Sequence, residues 1–234
     1  MKMQKVASLM EKAGIPGKDS YDLPTSKKRF PDGGWYRMEI SGVERPNVLE
    51  ALIDEMNKRK VPIHRAISVV MGSTYLDNAE LKDFAQMAHD AKIEVILTIG
   101  PRATWYIGRQ VITPEGAFSG ARFRGSEQLK HFLTEMMRCI EFGFRGFLVM
   151  DEGLLWLLNE LKKSGDIPKD LIFKVSVYAG HANAAGGKLL ESLGAGSFNP
   201  VGDLTLPQFA SIRQVVDIPM DIHCLLYTSP SPRD

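Results

Sequence analysis

The chain has 234 residues, 44% hydrophobic and 24% charged, with 29 basic against 28 acidic side chains; this suits one large soluble core and leaves no clear nucleic-acid surface, since the short basic runs Lys27–Arg29 and Lys58–Lys60 read as solvated faces. No apolar run reaches the roughly 18 residues of a membrane span, and the amino terminus lacks the apolar stretch and cleavage site of a secretory signal. Two cysteines, Cys139 and Cys224, cannot alone hold a metal cluster and make a disulfide framework a poor reading, so a reducing cytoplasm is the expected location.

The first 34 residues read as a leader. Val6, Leu9, Met10 and Ala13 recur at helical spacing, Gly14 and Pro16 end the helix, and a proline- and glycine-rich loop follows. From Trp35 the pattern alternates. Strand-like "WYRMEIS" precedes helical "RPNVLEALIDEMNKRK", and "PIHRAISVV" precedes "DNAELKDFAQMAHDAK". "EVILTIG" leads into a long loop and then "SEQLKHFLTEMMRCIEFG". "GFLVMDEG", "LIFKVSVYAG" and "GSFNP" are each followed by a helical segment, and "IPMDIH" is a last strand signal. Seven strands with six intervening helices predict a parallel sheet, either a closed (β/α)8 barrel or an open doubly wound sheet. No G-x-G-x-x-G follows the first strand, which removes the strongest open-sheet signature.

The tail departs from this regularity. Cys224–Asp234 back-translates to a transposase-type sequencing adapter read in frame. The expectation is therefore a leader over 1–34, an α/β TIM-like barrel over 35–223 that is truncated after strand seven, and a non-native tail over 224–234, as in a metagenomic fragment. His223 then borrows a base from the adapter, and metal or cluster ligands beyond it are not visible.

Polar residues recur inside the strands. Arg37, Glu39 and Ser41 alternate with apolar neighbours, as do Lys174, Ser176 and Tyr178. Asp221 and His223 alternate in the last strand, His64, Ala66 and Ser68 in the second, and Thr98 breaks the third. Successive side chains point to opposite faces, so the apolar set is expected under the helices and the polar set around the barrel axis. Buried charges need partners, so Glu39, Lys174 and Asp221 are expected to be paired or solvated by a cavity. An open sheet offers no axis on which they converge. The alternative is that Glu39 and Lys174 form only an ion pair that fixes strand register.

Other polar groups fall where barrel enzymes place their chemistry, after the strands' carboxyl ends: Arg102, Asp151 and Glu152, His181 and Asn199. Of the adjacent carboxylates, Glu152 is expected to face the axis and Asp151 to cap the next helix or join the site. Lys174 can serve as a base or Schiff-base nucleophile, or, paired with Glu39, as an ammonium holding an anion. The loop from Gly100 to Gln128 carries Arg102 and Arg109, suited to a carboxylate or phosphate, and Trp105 and Tyr106, suited to covering a substrate; a solvated excursion or subunit contact is the alternative. His64 and His181 are acid–base candidates or hydrogen-bonded structural residues. The catalytic candidates are thus Glu39, Glu152 and Lys174. The substrate-binding candidates are His64, Arg102, Asp151, Ser176, His181, Asn199 and Asp221. No metal ligands are identified and no cofactor is assigned; zincin, iron–sulfur and serine-hydrolase motifs are missing.

Three segments, "FLVMDEGLLW" from Phe147, "KVSVYAGHANAAGGKLLESLGA" from Lys174 and "FNPVGDLTLPQFASIRQVVDIPMDIH" from Phe198, resemble the collagenase-like peptidase family of unassigned catalytic type, family U thirty-two. The resemblance spans roughly residues 35–223. It implies a TIM-like barrel and a hydrolase acting on a peptide or small molecule. Several relatives carry iron–sulfur clusters, but this chain has only Cys139 before the tail. Two other readings stand beside the hydrolase: a lyase or aldolase using Lys174 on a small oxo-acid, and a non-catalytic barrel that binds a small anion or a partner; for any of the three a homo-oligomer is an open expectation.

Overall fold

The computed structural model describes residues 2–69, 72–99 and 122–223; Arg102, Trp105, Tyr106, Arg109 and the tail from Cys224 lie outside them. The chain divides into two compact units, Arg29–Lys174, and Met1–Lys28 with Val175–Asp234. Helix α1, Lys2–Lys12, belongs to the second.

In the unit Arg29–Lys174, strand and helix alternate: β1 (Glu39–Ser41), α2 (Pro46–Arg59), β2 (Arg65–Ile67), α3 (Gly72–Tyr75), α4 (Asn78–Asp90), β3 (Glu94–Leu97), α5 (Gly125–Glu141), β4 (Gly146–Val149), α6 (Glu152–Ser164) and β5 (Ile172–Val175), whose last residue passes to the other unit. Local chemistry sets the helix ends. Pro46 occupies the first turn of α2, where a missing N–H costs nothing, and Lys60 closes it in the left-handed region at φ 55°. Asp77 and Glu80 form a reciprocal capping box at α4. Asp151 caps α6 by accepting from the Leu154 N–H, and Gly165 ends that helix at φ 86°. The four-residue α3 was not anticipated by the periodicity; it is too short to show one.

The strands lie in chain order, with none inserted out of sequence. A doubly wound sheet reverses its order at a switch point and a barrel does not. β1, β2, β3 and β4 pair in parallel, with Glu39 opposite Arg65, Arg65 opposite Glu94, and Ile96 opposite Gly146. Gly146 has no tolerance for a side chain, because a Cβ there would lie 2.4 Å from Ile96 and 2.6 Å from the Val95 carbonyl. The Ile172 N–H donates to the Arg145 carbonyl at 2.7 Å and sets β5 beside β4.

Curvature follows from one contact. In a flat sheet β1 and β5 are four strand spacings apart, about 19 Å, yet Lys174 Nζ lies 2.5 Å from Glu39 Oε1. The sheet must curl so that these side chains meet on its concave face. The register agrees. Followed strand by strand, the row that starts at Glu39 reaches β5 near Asp170, four residues before Lys174. A stagger of about one residue per strand is what a barrel of eight strands and shear eight requires. This is an α/β barrel sheet of the TIM type, its other face packed under Leu49, Leu81, Phe84, Phe132, Leu154 and Leu158 of the helices.

The pairing corrects one expectation about faces. Register places Arg65, Ile67 and Val69, not His64, Ala66 and Ser68, on the face that carries Glu39. Ala66 and Ser68 are fully buried on the helix side. Polarity misled here because Ser68 meets a carboxylate beyond the strand end while charged Arg65 faces inward. β1 is also shorter than the seven-residue pattern suggested: ladder pairing starts only at Met38, whose carbonyl accepts from the His64 N–H at 2.9 Å, while Arg37 turns back to Asp32 and the Phe30 ring.

The second unit adds a 3-10 turn (Val177–Ala179), α7 (Ala184–Ser192), β6 (Ser197–Phe198) and α8 (Leu206–Val215). Asn183 caps α7, and Thr205 with Gln208 forms a capping box at α8. The Asn199 N–H donates to the Val175 carbonyl at 2.9 Å. The seventh strand signal is reduced to one parallel bridge between Phe198 and Met220. The leader is tied to α8: the Ser20 N–H donates to the Pro207 carbonyl at 3.1 Å, and Gln214 donates to the Ser20 hydroxyl at 2.6 Å.

A double-mutant cycle checks the curling contact. Glu39→Gln and Lys174→Met, made singly and together and followed by urea unfolding, are expected to show a coupling energy of about 1–3 kcal/mol, with the double variant more stable than the two losses sum to. Strictly additive losses would show that the two strands do not meet.

Candidate functional site

The concave face of the unit Arg29–Lys174 is layered. Its lower part is charged. Lys174 is fully buried, with 1% of its side chain exposed, and its ammonium donates to Glu39 at 2.5 Å. Arg65 bridges Glu39 at 3.4 Å and Glu94 at 2.6 Å. Two cations and two carboxylates therefore alternate, which offsets the cost of removing them from water. His64 stands at the amino-terminal side of β2, its Nδ1 accepting from the Met38 N–H at 3.0 Å. With that nitrogen accepting, the imidazole carries any ring proton on Nε2.

The same face carries an apolar cluster. Ile67, Ile96, Leu148 and Met150 form one buried cluster, with Val69 packed on it. Glu39 and Lys174 share this face with the cluster, Lys174 with 1% and Glu39 with 24% of its side chain exposed. A Schiff-base lysine must reach a substrate carbonyl, and Lys174 has only 1% of its side chain exposed.

A second polar layer lies at the carboxyl edge of the strands. Glu44, in the turn from β1 to α2, accepts from the Ser68 hydroxyl at 2.7 Å and from the Val69 N–H. The Thr98 hydroxyl donates to the Ser68 carbonyl, tying the ends of β2 and β3. After β4, Asp151 accepts from the Leu154 N–H at 3.0 Å with one oxygen and from the Phe123 N–H at 3.2 Å with the other. The helix cap therefore also anchors residues 122–124 and sets the Arg122 guanidinium against Glu152, to which it donates from both terminal nitrogens. Among the described residues the edge thus holds three carboxylates fixed by donors, Glu44, Asp151 and Glu152, with the Arg122 guanidinium on the last.

Among the sequence-predicted residues, then, Glu39 and Lys174 come together in the lower layer. Glu152 stands with Arg122, and Asp151 has the capping role foreseen as its alternative. Ser176, His181, Asn199 and Asp221 belong to the other unit. There Ser176 accepts from the Tyr178 N–H at the start of the 3-10 turn, and buried Asn199 donates its side-chain amide to the Asp221 carbonyl at 2.9 Å. His181 is half-buried and its carbonyl accepts from the Val201 N–H at 3.1 Å. Arg102 lies outside the described residues. Sequence reasoning missed Glu44, Arg65 and Arg122. For Glu44 a signal existed: a carboxylate in the short turn between a strand and a Pro-initiated helix sits at the carboxyl edge of any β/α unit. Arg122 had no such signal, because only the fold of the loop's end brings it to Glu152.

Among the described residues, no group of three or more His, Cys, Asp or Glu side chains is placed to hold a metal ion, and no helix is long and apolar enough to cross a membrane. Cys139 is fully buried on α5, 3.8 Å from Glu135. Burial first, and the Glu135 charge second, push its thiol up to about 12.

No protein-family model and no curated protein matches the chain. Among solved structures it is similar to a U32 peptidase, with a TM-score of 0.51 and 18% identity over 86% of this chain and 72% of that one. It is also similar to the oxidized form of the homocysteine methyltransferase MmuM from Escherichia coli, with a TM-score of 0.50 and 10% identity over 80% and 82% of the two chains. At these identities the likeness is one of fold, and it agrees with the strand order and stagger.

The Cys139 environment has a measurable consequence. In a Cys224→Ser background, Cys139 is expected to resist a thiol reagent at pH 8 in the native protein and to react at once in denaturant. The linkage runs the same way. The unfolded thiol loses its proton near pH 8.5 and the folded one near 12, so stability falls as pH rises through that interval. Cys139→Ala should flatten this slope; rapid native labelling would contradict the buried placement.

Proposed function

We propose that the chain is a TIM-barrel hydrolase of peptidase-like type, with its polar centre on the carboxyl edge of the strands. The observation that carries this reading is the pair of donor-fixed carboxylates there, Glu44 after β1 and Glu152 after β4, with Arg122 beside Glu152. Barrel enzymes gather their chemistry at this edge from the ends of different strands. The resemblance of three segments to the collagenase-like peptidases and the fold likeness to a U32 peptidase support the same class.

In this reading Glu44 is the general base. Ser68 and the Val69 N–H fix its orientation, and it takes the proton of the attacking water, then passes it to the departing amine nitrogen as the C–N bond breaks and the acyl group is released as a carboxylate. Arg122 offers its guanidinium to the negative charge that develops on the scissile carbonyl oxygen, and Glu152 holds that guanidinium in place. Asp151 is a positioning residue, acting through Phe123 on Arg122. Glu39 and Lys174 hold the sheet in its curled form and do not touch substrate.

The test is hydrolysis of gelatin and of a mixed peptide library. Glu44→Gln and Arg122→Ala are each expected to lower kcat/KM by about 10²–10⁴-fold, with unfolding midpoints near that of the parent. Full activity in both variants would overturn the assignment. Borohydride reduction with a panel of oxo-acids examines the lyase alternative: a covalent adduct on Lys174 would replace the hydrolase reading, and its absence leaves Lys174 structural.

A further inference from the structure

Helix α1 is amphipathic, yet its apolar face is uncovered. Val6 and Leu9 are each 55% exposed, and Met10 and Met3 are exposed with them. Their spacing places them on one face of the helix. The side of α1 that carries Ala7 and Glu11 is turned to its own chain, close to Gly17, so the apolar stripe is the outward one. Lys5 and Lys12 flank that stripe along one side, which makes the exposed face of α1 apolar with a basic edge.

A matching surface exists elsewhere on the molecule. On the outer helical layer, α2 and α4 leave between them a groove of about 750 Å³. Its floor is apolar, formed by Ile53, Met56 and Met87 with Pro46, and its charged rim is acidic, Asp83 and Asp90. The groove is bounded by helices of 14 and 13 residues, and α1 has 11. At 1.5 Å per residue α1 is about 16 Å long and the groove walls about 20 Å. The apolar stripe on α1 matches the apolar floor, and its basic edge is opposite in charge to the acidic rim.

We infer that α1 of one copy of this chain docks between α2 and α4 of a second copy. The mode is the familiar one of an amphipathic helix laid in a hydrophobic groove, with charge fixing its direction. Because two different surfaces meet, the contact is heterologous, and each added copy presents a further helix and a further groove. Neither surface includes Glu44, Arg122, Asp151 or Glu152, so assembly and catalysis are separable.

Sedimentation velocity of the chain from about 1 to about 100 μM is expected to show concentration-dependent assembly in this micromolar range. A helix variant, Lys5→Glu with Lys12→Glu, and a groove variant, Asp83→Lys with Asp90→Lys, change only exposed side chains, and circular dichroism confirms that each folds. Each alone is expected to weaken assembly by about tenfold or more. A chain that carries all four reversals should regain it, because the charges match again. In an equimolar mixture of the two double variants, the intact helix of one should find the intact groove of the other only in a second copy. A parent that stays monomeric throughout, variants that assemble like the parent, or a fourfold reversal that stays dissociated would each overturn the inference. Weakening by the helix variant that is not matched by the groove variant would assign α1 to a different partner and overturn it equally.

Discussion

The structure of the unit Arg29–Lys174 depends on a single ion pair across its concave face, between Glu39 on the first strand and Lys174 on the fifth. Neither side chain is long enough to bridge the about 19 Å that a flat sheet would put between these strands, so their 2.5 Å approach fixes both the curl and the stagger of the sheet. A lysine with 1% of its side chain exposed has lost its hydration, and the Glu39 carboxylate offsets that loss. Alternative registers would shift Glu39 by a residue and turn it away from Lys174. The pair thus favours one arrangement by making the others costly, and Arg65 extends it by linking Glu39 to Glu94 one strand further on.

The charged layer and the carboxyl edge divide the labour of the unit. In the lower part, around Glu39 and Lys174, cations and carboxylates are matched one to one. At the edge, carboxylates are held by hydroxyl and backbone donors or by a guanidinium, in turns and helix starts that allow side chains to vary without disturbing the sheet. Asp151 joins the two concerns. Its carboxylate closes the first turn of α6 and, through Phe123, decides where Arg122 stands.

Much of the fold was legible in the residues. The alternation of strand and helix patterns predicted parallel β/α units, and the missing dinucleotide fingerprint with the inward polar residues of β1 and β5 favoured a barrel, as strand order and stagger show. Strand two was misread because its pattern admits two phases: Arg65 and Ser68 are both polar, and only pairing with neighbours tells which row faces inward. The site was less legible. Glu39 and Lys174 were read as buried charges in need of partners, and they meet; that they meet each other depends on stagger, which no local pattern encodes. Glu44 and Arg122 owe their positions to turns, where side-chain periodicity carries no information. Asp151, by contrast, was readable as a cap because capping is local chemistry.

The most direct test of the account observes the Lys174 ammonium itself, by nuclear magnetic resonance of protein with isotope-labelled lysine nitrogen and glutamate carboxyl carbon. The account predicts one ammonium signal protected from solvent exchange, scalar-coupled across a hydrogen bond to the Glu39 carboxylate and lost in Lys174→Met. A Lys174 ammonium that exchanges as fast as the surface lysines, with a Glu39 carboxyl carbon indifferent to its removal, would contradict the curled sheet on which the rest is built.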